Sequence, residues 1–150
     1  MKKINTAKSF GIIGLGRFGS ALVKTLSDAG KEVIAVDTDE QTVKAVRRYT
    51  DFAFVVETLN QDTLEETGIQ NCSIVAICID DEIDMSILTT MLVIKMGVSI
   101  VIAKASSPEH GEVLKRLGAD VVYPESDMAV RIGKKLISGN LIDYISLDDD

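Results

Sequence analysis

The sequence predicts an α/β protein with a Rossmann-like, doubly wound parallel sheet of six strands in the order 3-2-1-4-5-6. Three observations support this fold class. A G-x-G-x-x-G motif at residues 14–19 joins a short apolar run to a segment with helical periodicity. Apolar runs of strand length then alternate with helical patterns, as in other parallel sheets. Asp37 ends the second apolar run 18 residues after Gly19 (37 − 19), close to the ~20 residues typical of this fold.

Each strand is predicted from an apolar run. The run at residues 73–79 is the strongest, and its unbroken apolarity indicates a central strand that is covered on both faces. The predicted strands are, in order, residues 10–13, 32–37, 52–56, 73–79, 99–103 and 120–123.

Helices are predicted where apolar residues recur at helical spacing between two end signals. Thr38 or Asp39 can cap the second helix, and Ser107 followed by Pro108 has the form of a cap and a first-turn proline. Glycines stand where helices must stop. The predicted helices are the segment from the glycine motif to Gly30, residues 40–49, a short helix ending at Gly68, residues 83–96, the segment from Pro108 to Gly118, and residues 124–138.

Length and composition are those of one globular domain. The chain has 150 residues, of which 46% are hydrophobic and 26% are charged, and a domain of this size buries roughly 68–70% of its unfolded surface. No apolar run reaches the ~18 residues of a membrane-spanning helix, and the basic start lacks the apolar core of a signal peptide. We therefore expect a cytoplasmic protein. The net charge of −7 argues against nucleic acid as a partner, which would need a clustered basic surface.

The cysteines and the histidine give little sign of chemistry. Cys72 and Cys78 are six positions apart, so within one extended segment their Cα atoms lie about 20 Å apart, beyond the ~7 Å limit for a disulfide. We expect Cys78 to be a small buried strand residue. His110 is expected on the exposed face of its helix without a partner, and one histidine without a C-x-x-C motif argues against a structural metal site.

Candidate binding residues lie where the predicted strands end, because ligands bind at that edge, near the reversal between strands one and four. In the glycine motif, Gly14 makes the tight turn, Gly16 lets the backbone approach a phosphate, and Gly19 lets the helix pack closely on the strand. The helix N-terminus then offers unpaired N–H groups to an anion. Asp37 can accept both ribose hydroxyls and would repel a 2′-phosphate, which favours NAD, ATP, ADP or AMP over NADP. The other candidates are Arg17, Phe18, Thr38, Glu57, Thr58, Asp80, Asp81 and Lys104.

Several of these candidates have a simpler alternative. Arg17 can be a solvated helix residue, and Lys104 can be a charge that merely ends its strand. The acidic run at residues 80–84 can serve only to cap the next helix and to complement its dipole.

No catalytic motif accompanies the binding motif. None of the three tyrosines is followed four residues later by the lysine of a short-chain dehydrogenase, and G-x-S-x-G, P-loop and Cys/His signatures are absent from the sequence. The sequence therefore predicts a binding domain and not an enzyme.

Five segments together resemble the RCK (KTN/TrkA-N) family, the nucleotide-binding domain of KtrA/TrkA-type potassium uptake regulators, with the greatest similarity to the KtrA type. The resemblance covers nearly the whole chain. It implies homodimers assembled into an octameric ring beneath a membrane potassium-translocating subunit, peripheral to the inner face of the membrane. It also implies that ATP or ADP, or NAD(H) in TrkA relatives, sets the shape of the ring. The segments are residues 14–19, 35–37, 88–90, 118–120 and 124–128.

The resemblance also assigns roles by position. Gly14, Gly16, Arg17 and Gly19 match the phosphate loop, Asp37 the ribose acid and Lys104 the basic residue that ends strand five. Glu125 matches a carboxylate near the phosphates, which suggests a divalent cation there. Glu57 stands near the adenine but replaces the more usual Asp or Asn.

The family's C-terminal domain has no counterpart here. We expect a nucleotide-binding domain over residues 1–140 and the start of a connection to a further domain over residues 141–150, in a truncated chain or an unusually short homologue. An NAD-dependent oxidoreductase fragment or redox sensor is the alternative, and an oligomeric scaffold with a vestigial pocket is a third possibility.

The helix at residues 83–96 predicts self-association. It carries apolar residues around most of its circumference, whereas a helix that covers a sheet normally keeps its outer face polar. The residues available for such a polar face are Asp84, Ser86, Thr89, Thr90 and Lys95. A second buried face is the simplest explanation; the alternative is a helix buried wholly within the domain, beneath residues 141–147.

Overall fold

The structure, a computed structural model, describes residues 8–139 and contains one six-stranded parallel sheet in the order β3-β2-β1-β4-β5-β6. It confirms the predicted fold class and strand order. The predicted connection at residues 141–150 lies outside the described residues. The strands are β1 (Ser9–Ile13), β2 (Glu32–Asp37), β3 (Ala53–Val55), β4 (Ile74–Ile77), β5 (Ile100–Lys104) and β6 (Asp120–Val122). The helices are α1 (Arg17–Asp28), α2 (Glu40–Val46), α3 (Gln61–Thr67), α4 (Ile83–Lys95), α5 (Pro108–Leu117) and α6 (Pro124–Ser138), with a short 3₁₀ turn, Ile69–Asn71, before β4.

The core lies on both faces of the sheet, because successive residues of each strand point to opposite sides. Ile12 packs with Val23 of α1 and Val43 of α2 on one face. Its neighbour Ile13 packs with Leu114 of α5 on the other face, in a cluster to which α3 and α4 also contribute. The sheet is therefore covered by two helical layers, as its apolar strands predict.

Strand register brings the ends of the central strands together. Ile13, at the end of β1, lies beside Val36 of β2 and Ile77 of β4. The Gly14 N–H donates to the Val36 carbonyl at 2.9 Å, and the Cys78 N–H donates to the Ile13 carbonyl at 2.7 Å. The loops that follow β1, β2 and β4 thus meet at one edge of the sheet.

Helix α4 buries its small polar residues and exposes apolar ones. Its small polar residues Ser86, Thr89 and Thr90 are buried against the domain, whereas Leu88 and Met91 are 43% and 41% exposed. Small residues allow a helix to approach its neighbours closely, and the Thr90 hydroxyl donates to the Ser86 carbonyl at 2.7 Å, which satisfies it inside the domain. An exposed apolar face on α4 agrees with the second apolar face that the sequence predicts. The alternative, a helix buried beneath residues 141–147, involves residues that lie outside the described part of the chain.

Helix α6 differs from the other five in that none of its residues is buried. No helix within residues 8–139 is both long enough and apolar enough to cross a lipid bilayer.

Candidate functional site

Two cavities lie at the carboxyl edge of the sheet. The larger, of about 890 Å³, is bounded by the start of α1 and by the segments that follow β4, β5 and β6. The smaller, of about 220 Å³, lies beside it, between the glycine motif and the end of β2. Gly16 and Asp80 line both cavities. This is the edge at which doubly wound folds bind ligands.

The glycine motif shapes the boundary between the cavities. Gly14 has a φ of 97°, and a Cβ added there would lie 2.6 Å from the Cys78 carbonyl carbon. A Cβ on Gly19 would lie 1.8 Å from the Gly14 carbonyl oxygen. Neither position can carry a side chain, so α1 begins directly against the β1 loop and the end of β4.

The N-terminus of α1 opens onto the larger cavity through Gly16, Arg17 and Phe18. Its N-cap, Gly16, provides no side-chain hydrogen bond, and the first turn contains no acidic residue. The first-turn N–H groups and the positive end of the helix dipole are therefore left for an anion. Arg17 is exposed beside them.

Asp37 ties the end of β2 to the glycine loop. Its Oδ2 accepts a hydrogen bond from the Leu15 N–H at 2.7 Å, and its Oδ1 accepts one from the Asp39 N–H at 3.0 Å. A carboxylate offers about four acceptor positions, so each oxygen can still accept a ligand hydroxyl. Asp37 lines the smaller cavity together with Thr38.

Glu57 and Thr58 line neither of the two cavities. The cap of α3 engages Thr58 instead, because its carbonyl accepts from the Thr63 hydroxyl at 2.6 Å and its own hydroxyl accepts from the Asn60 amide at 3.0 Å. Leu59 lines the smaller cavity in their place. In the sequence, Leu59 is simply an apolar residue shortly after the third strand. Nothing in the pattern distinguished it from a core residue.

Lys104 and Asp80 form an ion pair within the larger cavity. The Lys104 side chain is only 20% exposed, and its ammonium lies 5.8 Å from the centroid of the Phe18 ring, within the range of a cation–π contact. The ends of β4 and β5 and the start of α1 thus bring together three residues that the sequence had indicated separately.

Glu125, at the start of α6, also lines the larger cavity. Within residues 8–139, no three His, Cys, Asp or Glu side chains are arranged to hold a metal ion. A cation at Glu125 therefore stays a prediction.

His110 is 5% exposed and has partners on both ring nitrogens, so the prediction of an exposed, unpartnered histidine is wrong. The cap of α5 explains its position, because the His110 N–H donates to the Ser107 hydroxyl and the ring then turns inward. Its Nδ1 accepts from the Ser106 N–H at 3.1 Å. The proton therefore resides on Nε2, which donates to Ser86 Oγ at 3.0 Å. Burial lowers the pKa of His110.

This geometry argues against Ser86 as a catalytic nucleophile. With its proton on Nε2, the imidazole donates to Ser86 and cannot act as the base that removes the serine proton. Ser86 is also 1% exposed, in the interior of α4. The Ser86–His110 pair is a structural connection between α4 and the cavity wall.

Both cysteines are buried and free. Burial raises the pKa of Cys72 to about 11 and that of Cys78 to about 12. The structure confirms that Cys78 is a small buried residue, directly after β4. Because the thiolate is the reactive form, neither cysteine has the character of a redox-active thiol.

Comparisons with known proteins converge on one family. The TrkA-N domain family model matches residues 10–124. Ktr system potassium uptake proteins C and A of Bacillus subtilis (strain 168) are each 38% identical over 144 residues, which is 95% of this chain and 65% of the relative. The chain thus spans 65% of the length of these relatives. Among solved structures, GsuK bound to ADP superposes with a TM-score of 0.68 at 28% identity, over 86% of this chain and 34% of that one.

Proposed function

This chain belongs to the TrkA-N domain family, and we propose that it is the adenine-nucleotide-binding domain of a regulatory subunit that gates a membrane potassium uptake channel or transporter. The observation that carries this proposal is the arrangement of an uncapped helix N-terminus, a ribose-type carboxylate and a half-buried lysine around two adjoining cavities. Those features supply complementary groups for the phosphates and the ribose of one ligand. Ser106 Oγ lies 3.2 Å from His110 Nδ1, but that ring nitrogen already accepts the Ser106 N–H. We therefore expect the domain to bind its ligand without transforming it.

ATP or ADP is the proposed ligand, with NAD(H) as the alternative. Asp37 accepts two backbone N–H groups and has acceptor capacity left for ribose hydroxyls. A 2′-phosphate at this position would face a carboxylate, which disfavours NADP. A divalent cation beside Glu125 would offset the charge that the phosphates bring to this acidic cavity.

The proposed partner is a membrane potassium-translocating subunit, because relatives that match nearly the whole of this chain are potassium uptake proteins. The domain would act from the cytoplasmic face of the membrane, as a homodimer within an octameric ring. The exposed apolar face of α4 supports self-association of this kind. Nucleotide exchange would alter the ring and thereby the gate.

Mass spectrometry of nucleotide released from the purified protein tests the proposal first. Calorimetric titration with ATP, ADP, NAD and NADP then ranks the ligands. We expect ATP or ADP to bind and NADP to fail, and Asp37→Ala to weaken binding by about 1.5–3 kcal/mol, the value of hydrogen bonds to a charged group. Asp39→Ala is the comparison variant, because Asp39 lines the same smaller cavity but its carboxylate caps α2, where Oδ1 accepts the Gln41 N–H.

Each alternative predicts a different outcome. Tightly held NAD(H), with no response to ATP, would favour the oxidoreductase fragment or redox sensor. The raised pKa values of both cysteines argue against a thiol-based sensor. An empty pocket with no thermal shift from any nucleotide would leave only a scaffold.

A further inference from the structure

The carboxylate of Asp80 lies where the glycine motif leaves room for a phosphate. A Cβ added to Gly16 would lie 2.5 Å from Asp80 Oδ2, so the carboxylate fills the space that the missing side chain leaves open. In folds of this type, that space lets a phosphate oxygen approach the backbone. The other oxygen, Oδ1, accepts the ion pair from Lys104. Asp80 therefore holds both a backbone position and a cation that suit a phosphate.

The Asp80–Lys104 pair lies between the proposed ribose position and the proposed phosphate position. Asp80 and Gly16 line both cavities, whereas Asp37 lines only the smaller one and Lys104 only the larger. A nucleotide with its ribose at Asp37 and its phosphates at α1 must pass the Asp80 carboxylate. The Asp80 side chain is 42% exposed, so it can swing toward solvent, but Lys104 is 20% exposed and is held beside Phe18.

The net negative charge of the larger cavity adds to the repulsion between Asp80 and the phosphates of a nucleotide. Five carboxylates and two cationic side chains line it, a formal charge of −3. One of the two cations is already neutralised by Asp80. An entering di- or triphosphate is therefore repelled unless Lys104 changes partner. The acidic residues are Asp80, Asp81, Glu82, Glu125 and Asp127, and the basic residues are Arg17 and Lys104.

We propose that Asp80 is an internal anion of the phosphate site, which Lys104 exchanges for a ligand phosphate when nucleotide binds. This inference rests on the proposed function, because it gives Asp80 the role of regulating the affinity of the same nucleotide site. Asp80 lowers the affinity of this site for phosphate groups. Lys104 stays in place beside Phe18 and pairs either with the Asp80 carboxylate or with a ligand phosphate.

The test compares Asp80→Asn with Asp81→Asn in calorimetric titrations with ATP and with adenosine, in EDTA. Both substitutions remove one negative charge from the same cavity wall, but only Asp80 contacts Lys104. We expect Asp80→Asn to bind ATP about tenfold more tightly, as the loss of a competing charge pair permits, and to bind adenosine unchanged. Asp81→Asn should change ATP affinity by less than about twofold, because Asp81 is exposed and solvent screens its charge. Weaker ATP binding by Asp80→Asn, equal affinities, or an equal gain in both variants would overturn the proposal.

Pyrophosphate separates this inference from the proposed function. Its binding is followed through the amide resonance of Gly16, in wild type and in Asp80→Asn, without any nucleoside. If pyrophosphate binds more tightly to Asp80→Asn while no nucleotide binds to either protein, the nucleotide function fails and the internal anion stands. If nucleotide binds and the two proteins have equal pyrophosphate affinity, the internal anion fails and the function stands. Absence of pyrophosphate binding to both proteins also overturns the internal anion.

Discussion

The His110 Nε2 lies 3.0 Å from Ser86 Oγ, and His110 is one of the residues that line the larger cavity. The same ring accepts the Ser106 N–H at 3.1 Å, two residues after Lys104. One side chain therefore links the end of β5, which holds a cavity lysine, to α4, which exposes an apolar face. The buried ring is thus a direct hydrogen-bonded connection between these two elements.

This burial predicts a pH dependence of stability. The fold lowers the pKa of His110, so below about pH 6.5 the unfolded chain takes up a proton while the folded protein still resists it. The free energy of unfolding should therefore fall as the pH drops below 6.5, until the folded-state pKa is reached. Urea denaturation at pH 7.5 and at pH 5.5 measures this loss.

His110→Asn is the matched variant, because the amide oxygen keeps an acceptor for the Ser106 N–H but does not titrate. The variant should be less stable at pH 7.5, by about 1–3 kcal/mol, yet lose less stability between pH 7.5 and 5.5 than the wild type. Equal losses in the two proteins would assign the pH dependence to other groups.

Arg17 predicts discrimination among phosphates. It is exposed beside the N-terminus of α1 and lines the larger cavity, where a guanidinium suits the terminal phosphates. Arg17→Ala should weaken ATP binding by about 1.5–3 kcal/mol and AMP binding by much less, as measured by calorimetry. Arg116→Ala, which removes an exposed arginine of α5 that pairs with Glu112, should leave both affinities unchanged. Equal losses of affinity for ATP and AMP would show that Arg17 does not contact the terminal phosphates selectively.

Gly19 predicts a severe packing defect. A Cβ there would lie 1.8 Å from the Gly14 carbonyl oxygen, which is backbone and cannot move aside cheaply. Gly19→Ala should therefore lower the free energy of unfolding by about 3 kcal/mol or more, at the upper end of single substitutions. Gly133→Ala is the control, since nothing lies within 4 Å of a Cβ in that part of α6, and alanine there should gain about 0.5–1 kcal/mol of helix stability. Similar stabilities for the two variants would contradict the close packing of α1.

The strands and their order were predictable because each depends on local pattern. The apolar run at residues 73–79 indicates a covered strand, and the glycine motif joins a strand to a helix in this fold. Edge elements were less predictable, since their ends depend on neighbours. Strand β3 spans only Ala53–Val55, and α2 stops at Val46 where residues 40–49 were predicted.

Side-chain placement needed the tertiary structure. Helical periodicity showed that α4 has more apolar surface than one face needs, but not that Ser86 and Thr89 lie on its inner side, where they are buried. The ring of His110 turns inward because Ser107 caps its helix and because Ser86 and Ser106 bind the two ring nitrogens. Ser86 lies 24 residues away in sequence. The pairing of Asp80 with Lys104 joins residues 24 positions apart, which no local pattern encodes.

The outer face of α4 leads to the last prediction, which is self-association. Ile83, Leu88 and Met91 are 48%, 43% and 41% exposed on a helix whose small polar residues point inward. Burial of a leucine or methionine side chain is worth about 1.5–3 kcal/mol. Leu88→Lys or Met91→Lys should therefore weaken the assembly by roughly tenfold or more each, as light scattering across a concentration series would measure. Ile87→Asp is not a clean test, because Ile87 packs against the main core cluster.

Phe52→Lys is the control for this last prediction, because Phe52 is 57% exposed and apolar but lies beside β3, at the far edge of the sheet. It should leave the assembly state unchanged, since it removes exposed apolar area without touching α4. Thermal unfolding must show that the two α4 variants stay folded and calorimetry that they still bind nucleotide. A wild-type chain that is monomeric at high concentration would refute the prediction. An equal effect of Phe52→Lys would also refute it, because it would indicate non-specific hydrophobic association and not a defined interface on α4.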